Sequence, residues 1–143
     1  VGVCLMHKRG APADMQRDPH YGNVVAEVLA FLDQRVQLLR AAGISAERIA
    51  VDPGFGFGKT LEHNLELLRQ LDRFKRSGAV VLAGISRKTM LGRITGRAVG
   101  ERVHASVAAA LIAAQNGARI LRVHDVAATR DALAVWNAVM GNE

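Results

Sequence analysis

Residues 52–59 read Asp52-Pro53-Gly54-Phe55-Gly56-Phe57-Gly58-Lys59, between the short apolar run Ile49-Ala50-Val51 and an amphipathic pattern that starts at Thr60. A carboxylate thus closes a strand, and a glycine-rich loop carries two phenylalanines and a lysine into a helix. That is the layout of a ligand site on an α/β scaffold, where loops at strand ends carry function. Two phosphate motifs are excluded. Gly58-Lys59-Thr60 could end a P-loop, but its first glycine would fall on Pro53; the dinucleotide pattern fails because Lys59 stands where a third glycine is needed. A flexible connector is the plain alternative. Two aromatics interleaved with three glycines argue against it, because glycine lets backbone approach a ligand closely.

The flanking sequence repeats one theme. Val1–Met6 is a near-continuous apolar run, the pattern of a strand buried on both faces. A loop rich in Gly, Pro and Asp follows over 7–21. Residues 23–42 have helical periodicity, with Val24, Val28, Phe31, Leu32, Val36 and Leu39 on one side and Gly43 as a stop. Residues 48–52 form the second strand. The second helix covers 60–75, with Leu61, Leu65, Leu68 and Leu71 on a stripe and Thr60 as N-cap. Residues 79–86 give a third strand, followed by a short helical stretch and a longer helix over 101–116 ended by Gly117. The fourth strand covers 118–124, and Asp125 caps a last helix reaching Met140.

Strand–helix alternation without hairpin signals means a parallel sheet covered by helices. Two architectures fit: a small open doubly wound sheet, or half of a (β/α)8 barrel, whose usual length is about 250 residues. Asp52, Ser86 with Lys88, and Arg122 with His124 all fall at or just after the C-terminal ends of strands, which in a barrel converge on one mouth. Arg122 and His124, two apart, project to one face, while Leu121 and Val123 project to the other. A charged arginine facing a barrel interior needs an anion, either a protein carboxylate or a phosphate.

Composition bounds the rest. With 143 residues, half of them hydrophobic, the chain forms one compact unit with a sizeable core. No apolar run approaches the roughly 20 residues of a membrane span, and the N-terminus lacks the order of a signal peptide. Cys4, the single cysteine, reads as a buried core thiol, which fits a reducing cytoplasm. The formal net charge of +6 makes nucleic acid a competing partner. The basic residues are scattered, however, and only one Tyr and one Trp are available for base stacking. The chain opens at Val1 inside a strand pattern and reads as part of something longer.

Each polar residue has its chemistry. Asp52 offers two parallel oxygens to an edge with two adjacent N–H donors, such as an amino-pyrimidinone; a turn aspartate before Pro53 is the simpler role. Lys88 sits in Gly84-Ile85-Ser86-Arg87-Lys88-Thr89, where a strand turns into a helix and adds a mobile donor to backbone N–H groups; a surface lysine is the alternative. Arg122 and His124 make a pocket for a leaving phosphate, and Phe57 an apolar wall. His7, His20, His63, His104 and His124 lack metal-ligand spacing, and no Ser-His-Asp arrangement can be assembled.

Asp52–Lys59, Gly84–Thr89 and Arg122-Val123-His124-Asp125, in this order and at about this spacing, resemble the motifs of the dihydropteroate synthase family. The opening Cys4-Leu5-Met6-His7 looks like that family's fifth strand. The resemblance covers the whole chain and implies the last four β/α units of a parallel (β/α)8 TIM barrel. The implied reaction joins 6-hydroxymethyl-7,8-dihydropterin pyrophosphate to p-aminobenzoate, giving 7,8-dihydropteroate and pyrophosphate. By resemblance, Asp52 and Lys88 hold the pterin, Met6 lines its pocket, and Arg122 and His124 hold the pyrophosphate. Phe57 and Lys88 border the p-aminobenzoate site, Thr89 lies near its carboxylate, and Ser86 is a further substrate-binding residue. The family often has Ser at position 89; Thr keeps the hydroxyl and adds a methyl. The resemblance also implies Mg²⁺, with its protein ligand outside these residues, and a homodimer through C-terminal helices, for which Ala105, Ala108, Ala109 and Ile112 offer a face. Another pterin-binding barrel, of the methyltetrahydrofolate-binding type, shares the Asp logic but needs no pyrophosphate pocket. A non-catalytic half-barrel interaction module is the reading from a different class.

Overall fold

In the computed structural model of the chain, which describes residues 1–10 and 19–142, four parallel strands stand in sequence order: β1 Val3–Met6, β2 Ile49–Asp52, β3 Val80–Ala83 and β4 Ile120–Leu121. The helices are α1 Val24–Ala41, α2 Leu61–Arg69, α3 Thr89–Thr95, α4 Val103–Gln115 and α5 Val126–Met140. Part of the 7–21 loop expected from sequence lies outside the described residues.

Unbroken sequence order with parallel pairing is what successive βα crossovers produce. It is the arrangement of a (β/α)8 barrel, of which four units are present. Val51 and Val81 point toward the helices and are buried, packing with Val25, Val28, Leu32 and Val36 of α1 and with Leu67, Leu71 and Phe74. Each such side chain contributes about 1.5–3 kcal/mol by leaving water. The opposite face carries Cys4, Met6, Ala50 and Asp52, with Met6 directly beside Asp52 in the ladder.

Several expectations are corrected. Cys4 is exposed rather than a core thiol: it lies on the face that no helix covers, and β1 pairs on one side only among the described residues. The same openness leaves Ile120 42% exposed. The fourth strand is shorter than 118–124, because it too has a single neighbour; the N–H groups of Arg119 and Arg122 still donate to Val81 and Ala83 at 2.9 and 3.0 Å. The second helix changes to 3₁₀ geometry over Leu71–Ser77. At three residues per turn Leu71, Phe74 and Ser77 fall on one line, and all three are buried. Thr60 caps α2 as expected, in a reciprocal pair with His63. Asp125 precedes α5, but its carboxylate makes no cap bond to the helix. Of the expected dimer face, Ala109 belongs to the core and Ala105 packs against it, while Ala108 and Ile112 are exposed.

Candidate functional site

The glycine-rich loop is largely buried rather than an exposed connector. Asp52 starts it with a tight turn: its Oδ1 accepts the Gly54 N–H at 2.8 Å. Gly54 has φ +77°, and a Cβ there would stand 1.8 Å from the His7 carbonyl oxygen, so the loop lies directly on the end of β1. Phe55 is fully buried and anchors the loop, whereas Phe57 is half-buried and faces a cavity. The Gly56 N–H donates to Asn64 Oδ1 of α2 at 2.9 Å.

Two further residues, Lys59 and Asn64, hold this loop together. Asn64 is buried and also donates to the Thr60 carbonyl at 2.9 Å. Lys59, 3% exposed, donates Nζ to the carbonyls of Gly54 and Phe57 at 2.8 and 3.0 Å, clasping the loop from inside. Burial pulls its pKa down to about 7, opposed by Asp52 and assisted by Lys88 and Arg9. In sequence Lys59 was legible only as the end of a failed P-loop. The helical stripe of α2 gave Asn64 no signal, since a polar residue at that position reads as solvent-facing.

Asp52 is 1% exposed at the strand end, and its second oxygen accepts Arg122 Nη2 at 3.1 Å. The turn role expected for Asp52 is met by one oxygen, while the other faces a cation. The Arg122 guanidinium lies flat over Gly84, where a Cβ would meet Nη2 at 2.7 Å and Nε at 3.0 Å. Among the described residues, Asp52 is the carboxylate that Arg122 meets.

Lys88 follows β3 and reaches back to the loop. Its Nζ donates to the Phe55 carbonyl at 2.5 Å and stands 4.7 Å from the Phe57 ring centroid, a cation–π approach. Burial lowers its pKa to about 8, with Asp52 opposing and Arg122 assisting. Ser86, 7% exposed, meets His124 twice: Oγ lies 2.9 Å from Nδ1 and accepts the His124 N–H at 3.2 Å. The pairing unites two motifs 38 residues apart. It is not a hydrolytic triad, because the adjacent carboxylate of Asp125 is held by Arg87 at 2.7 and 3.2 Å. That hydrogen bond keeps Asp125 below the usual carboxylate range.

A cavity of about 640 Å³ opens beside the loop, lined by Phe57, Lys59, Leu61, Lys88, Thr89 and Arg102 among others. It brings apolar wall, hydroxyl and cations together, a combination suited to a flat aromatic acid. Asp52, Arg122 and His124 lie outside it, and Lys88, which lines it, also feels the charges of Asp52 and Arg122. Met6 is half-buried beside Asp52 on the open face. Of the residues singled out from sequence, Asp52, Phe57, Ser86, Lys88, Thr89, Arg122 and His124 are all brought to the C-terminal side of the sheet.

The site offers little to a metal. Among the described residues no cluster of three or more His, Cys, Asp or Glu side chains is placed to hold an ion, and Asp52 already has both oxygens engaged. The residues present do not by themselves fit the implied Mg²⁺. No helix among them is long and apolar enough to cross a membrane.

A family model described as pterin binding enzyme matches residues 1–124. The chain is 53% identical over 136 residues to a dihydropteroate synthase of Haemophilus influenzae, covering 95% of this chain and 50% of that protein. It superposes on a crystal structure of dihydropteroate synthase from Stenotrophomonas maltophilia with active site-bound imidazole at a TM-score of 0.94 and 57% identity, over 98% of this chain and 53% of that one. The Xanthomonas albilineans dihydropteroate synthase in complex with 7,8-dihydropteroate gives a TM-score of 0.90 and 52% identity, over 100% of this chain and 52% of that one. The chain spans about half the length of the relatives it matches.

Proposed function

This chain belongs to the pterin-binding enzyme family, and from that premise we propose that it forms the C-terminal half of a dihydropteroate synthase. The substrates are 6-hydroxymethyl-7,8-dihydropterin pyrophosphate and p-aminobenzoate; the products are 7,8-dihydropteroate and pyrophosphate. The observation that carries this reading is the meeting of Asp52, Lys88 and Arg122 from three strand ends, with an aromatic-lined cationic cavity next to them.

In this reading Asp52 accepts the N–H edge of the pterin and Lys88 donates to its ring, with Met6 as a wall. Arg122 and His124 take the pyrophosphate, and Ser86 fixes the His124 ring. The bond between the pterin methylene carbon and the pyrophosphate oxygen breaks, and its electron pair leaves with pyrophosphate. Fixed donors that meet this developing charge lower the barrier. The amine nitrogen of p-aminobenzoate then forms the new C–N bond and gives up a proton. Its ring lies against Phe57 and its carboxylate near Thr89. Lys88, which lines the cavity and feels the charge of Asp52, contacts both partners. Arg122 exchanges the Asp52 carboxylate for the pyrophosphate, which frees the Asp52 oxygen as the pterin arrives.

The reaction is assigned to the cytoplasm, with Mg²⁺ held by residues outside this chain, and the complete protein to a homodimer with neither nucleic acid nor membrane as partner. Sedimentation of the complete protein tests the dimer. For the activity, pyrophosphate release is measured with the complete product of the reading frame that encodes these residues. Lys88→Ala and Arg122→Ala lower turnover by about 100-fold or more, and the isolated 143 residues are inactive. Near-normal rates in both variants would sink the assignment.

A further inference from the structure

Between Ser86 and Lys88 stands Arg87, the one non-glycine among the described residues with positive φ, at 58°. A side chain in the left-handed region is strained, and persists only where its surroundings over-determine it. Arg87 is held from three directions. Its N–H donates to Ser106 Oγ of α4 at 2.9 Å. Its carbonyl accepts Arg102 Nη1 at 2.8 Å. Its guanidinium forks onto both oxygens of Asp125, the residue directly after His124. Ser106 is 3% exposed, so its bond is shielded from water. The Arg102 guanidinium in turn fills the space above Gly92, where a Cβ would stand 2.2 Å from it.

The direction of these bonds is informative. Asp125 precedes α5 yet gives its carboxylate to Arg87 instead of to the helix. The pair thus links the exit of β3 to the exit of β4, and each exit carries two of the groups assigned above. With residue 87 left-handed, Ser86 reaches His124 while Lys88 reaches the Phe55 carbonyl. An ordinary negative φ at residue 87 would redirect the chain between those two side chains.

We propose, on the reading of function given above, that Arg87 is a positioning residue. Its forked grip on Asp125 sets the Ser86–Lys88 turn against Arg122 and His124, so that the donor to the ring and the donors to the leaving group keep a fixed separation. Arg87 also lines the cavity beside Phe57 and Thr89, and the role proposed here is the one it exerts through its neighbours.

The test uses Arg87→Gly, Arg87→Lys, Asp125→Asn and the double variant Arg87→Gly/Asp125→Asn in the complete protein. Glycine takes a φ of 58° freely, so Arg87→Gly keeps the turn while removing the grip. Its thermal midpoint stays within about 3 °C of wild type, yet kcat for pyrophosphate release falls at least about tenfold, with KM for the pterin substrate and for p-aminobenzoate each changed less than about threefold. Arg87→Lys, with one prong in place of a fork, does not restore the rate. Asp125→Asn matches Arg87→Gly, and the double variant is no worse than either single change. A kcat of Arg87→Gly near wild type, or a double variant whose loss is the product of the singles, overturns the proposal. A second readout is independent of turnover: NMR titration of ¹³Cε-labelled lysine. In Arg87→Gly, Lys88 leaves its buried seat and titrates closer to an ordinary lysine; an unchanged Lys88 titration overturns the proposal. If wild type releases no pyrophosphate, the functional reading falls, and this titration alone decides the role of Arg87.

Discussion

The Arg122 guanidinium and the Asp52 carboxylate meet at 3.1 Å across a sequence separation of 70 residues, with the arginine side chain 55% exposed and the aspartate 2%. The pair is asymmetric: the carboxylate is fixed in the protein, and the guanidinium is free to leave. A surface-facing arginine with this much solvent contact contributes little net stability. In the proposed reaction its role is to exchange that carboxylate for pyrophosphate.

Replacing the fixed member tests this directly. Asp52→Asn keeps an oxygen for the Gly54 N–H but loses the charge that holds Arg122. Charge-assisted hydrogen bonds contribute about 1.5–3 kcal/mol each, so pterin affinity of the complete protein falls at least about tenfold. Fluorescence titration with the pterin measures it, and an unaltered dissociation constant would remove Asp52 from the ring-binding role.

Gly84 is the seat of Arg122, and Gly84→Ala fills it. The atoms in the way are the far end of a flexible side chain, so the guanidinium swings out while the sheet stays intact. The expected result is an unchanged denaturant midpoint with a lower rate of pyrophosphate release. Loss of folded structure in this variant would show that the Gly84 backbone, and not the arginine, is the constrained element.

Gly54→Ala is the opposite case. Its Cβ would meet backbone at 1.8 Å, the His7 carbonyl, at a φ of +77°. Neither partner can yield without moving β1 or the loop, so a destabilisation of about 3 kcal/mol or more is expected, read from urea unfolding of the chain. A midpoint close to wild type would mean that the loop is not seated on β1.

The buried lysine Lys59 makes stability depend on pH. Its folded pKa is about 7, against 10.5 for an ordinary lysine. Between those values the unfolded chain binds the proton and the folded chain does not, so stability rises with pH from about 7 upward. Below about 7 the lysine is charged in both states and the burial cost is fully present. Lys88, lowered to about 8, adds to the same trend from about 8 to 10.5. Lys59→Met therefore flattens the rise without abolishing it. Urea midpoints at several pH values between 6 and 10 measure the slope; identical slopes in variant and wild type would contradict the assignment.

Much of this was legible in the order of the residues. The apolar runs ending in Asp52 and in Gly84-Ile85-Ser86 announced parallel strands, and the polar residues just beyond them announced the mouth. Thr60 and Gly43 marked helix ends through backbone chemistry that acts locally. What escaped was non-local. Nothing near Cys4 in sequence says that its side of the sheet is open, so an apolar run was read as buried on both faces. Asp125 looks like a helix cap until Arg87, 38 residues earlier, is brought beside it. Lys59 and Asn64 are polar residues whose partners are loop carbonyls and an amide; such bonds have no residue pattern, because any backbone can supply them. Arg87 hides most completely, since a left-handed arginine leaves no trace in composition or periodicity.

Met6 stands opposite Asp52 and Cys4 opposite Ala50 in the ladder between β1 and β2. Side chains in a strand alternate with a period of two, so sliding β2 by one residue would turn Asp52 toward the helices and bring Val51 to the mouth. Asp52 thus doubles as a proofreader of strand alignment. A chain that assembles out of step buries an unpaired charge among valines and leucines, and that misaligned state is expelled by its own electrostatics before any ligand has a chance to test it.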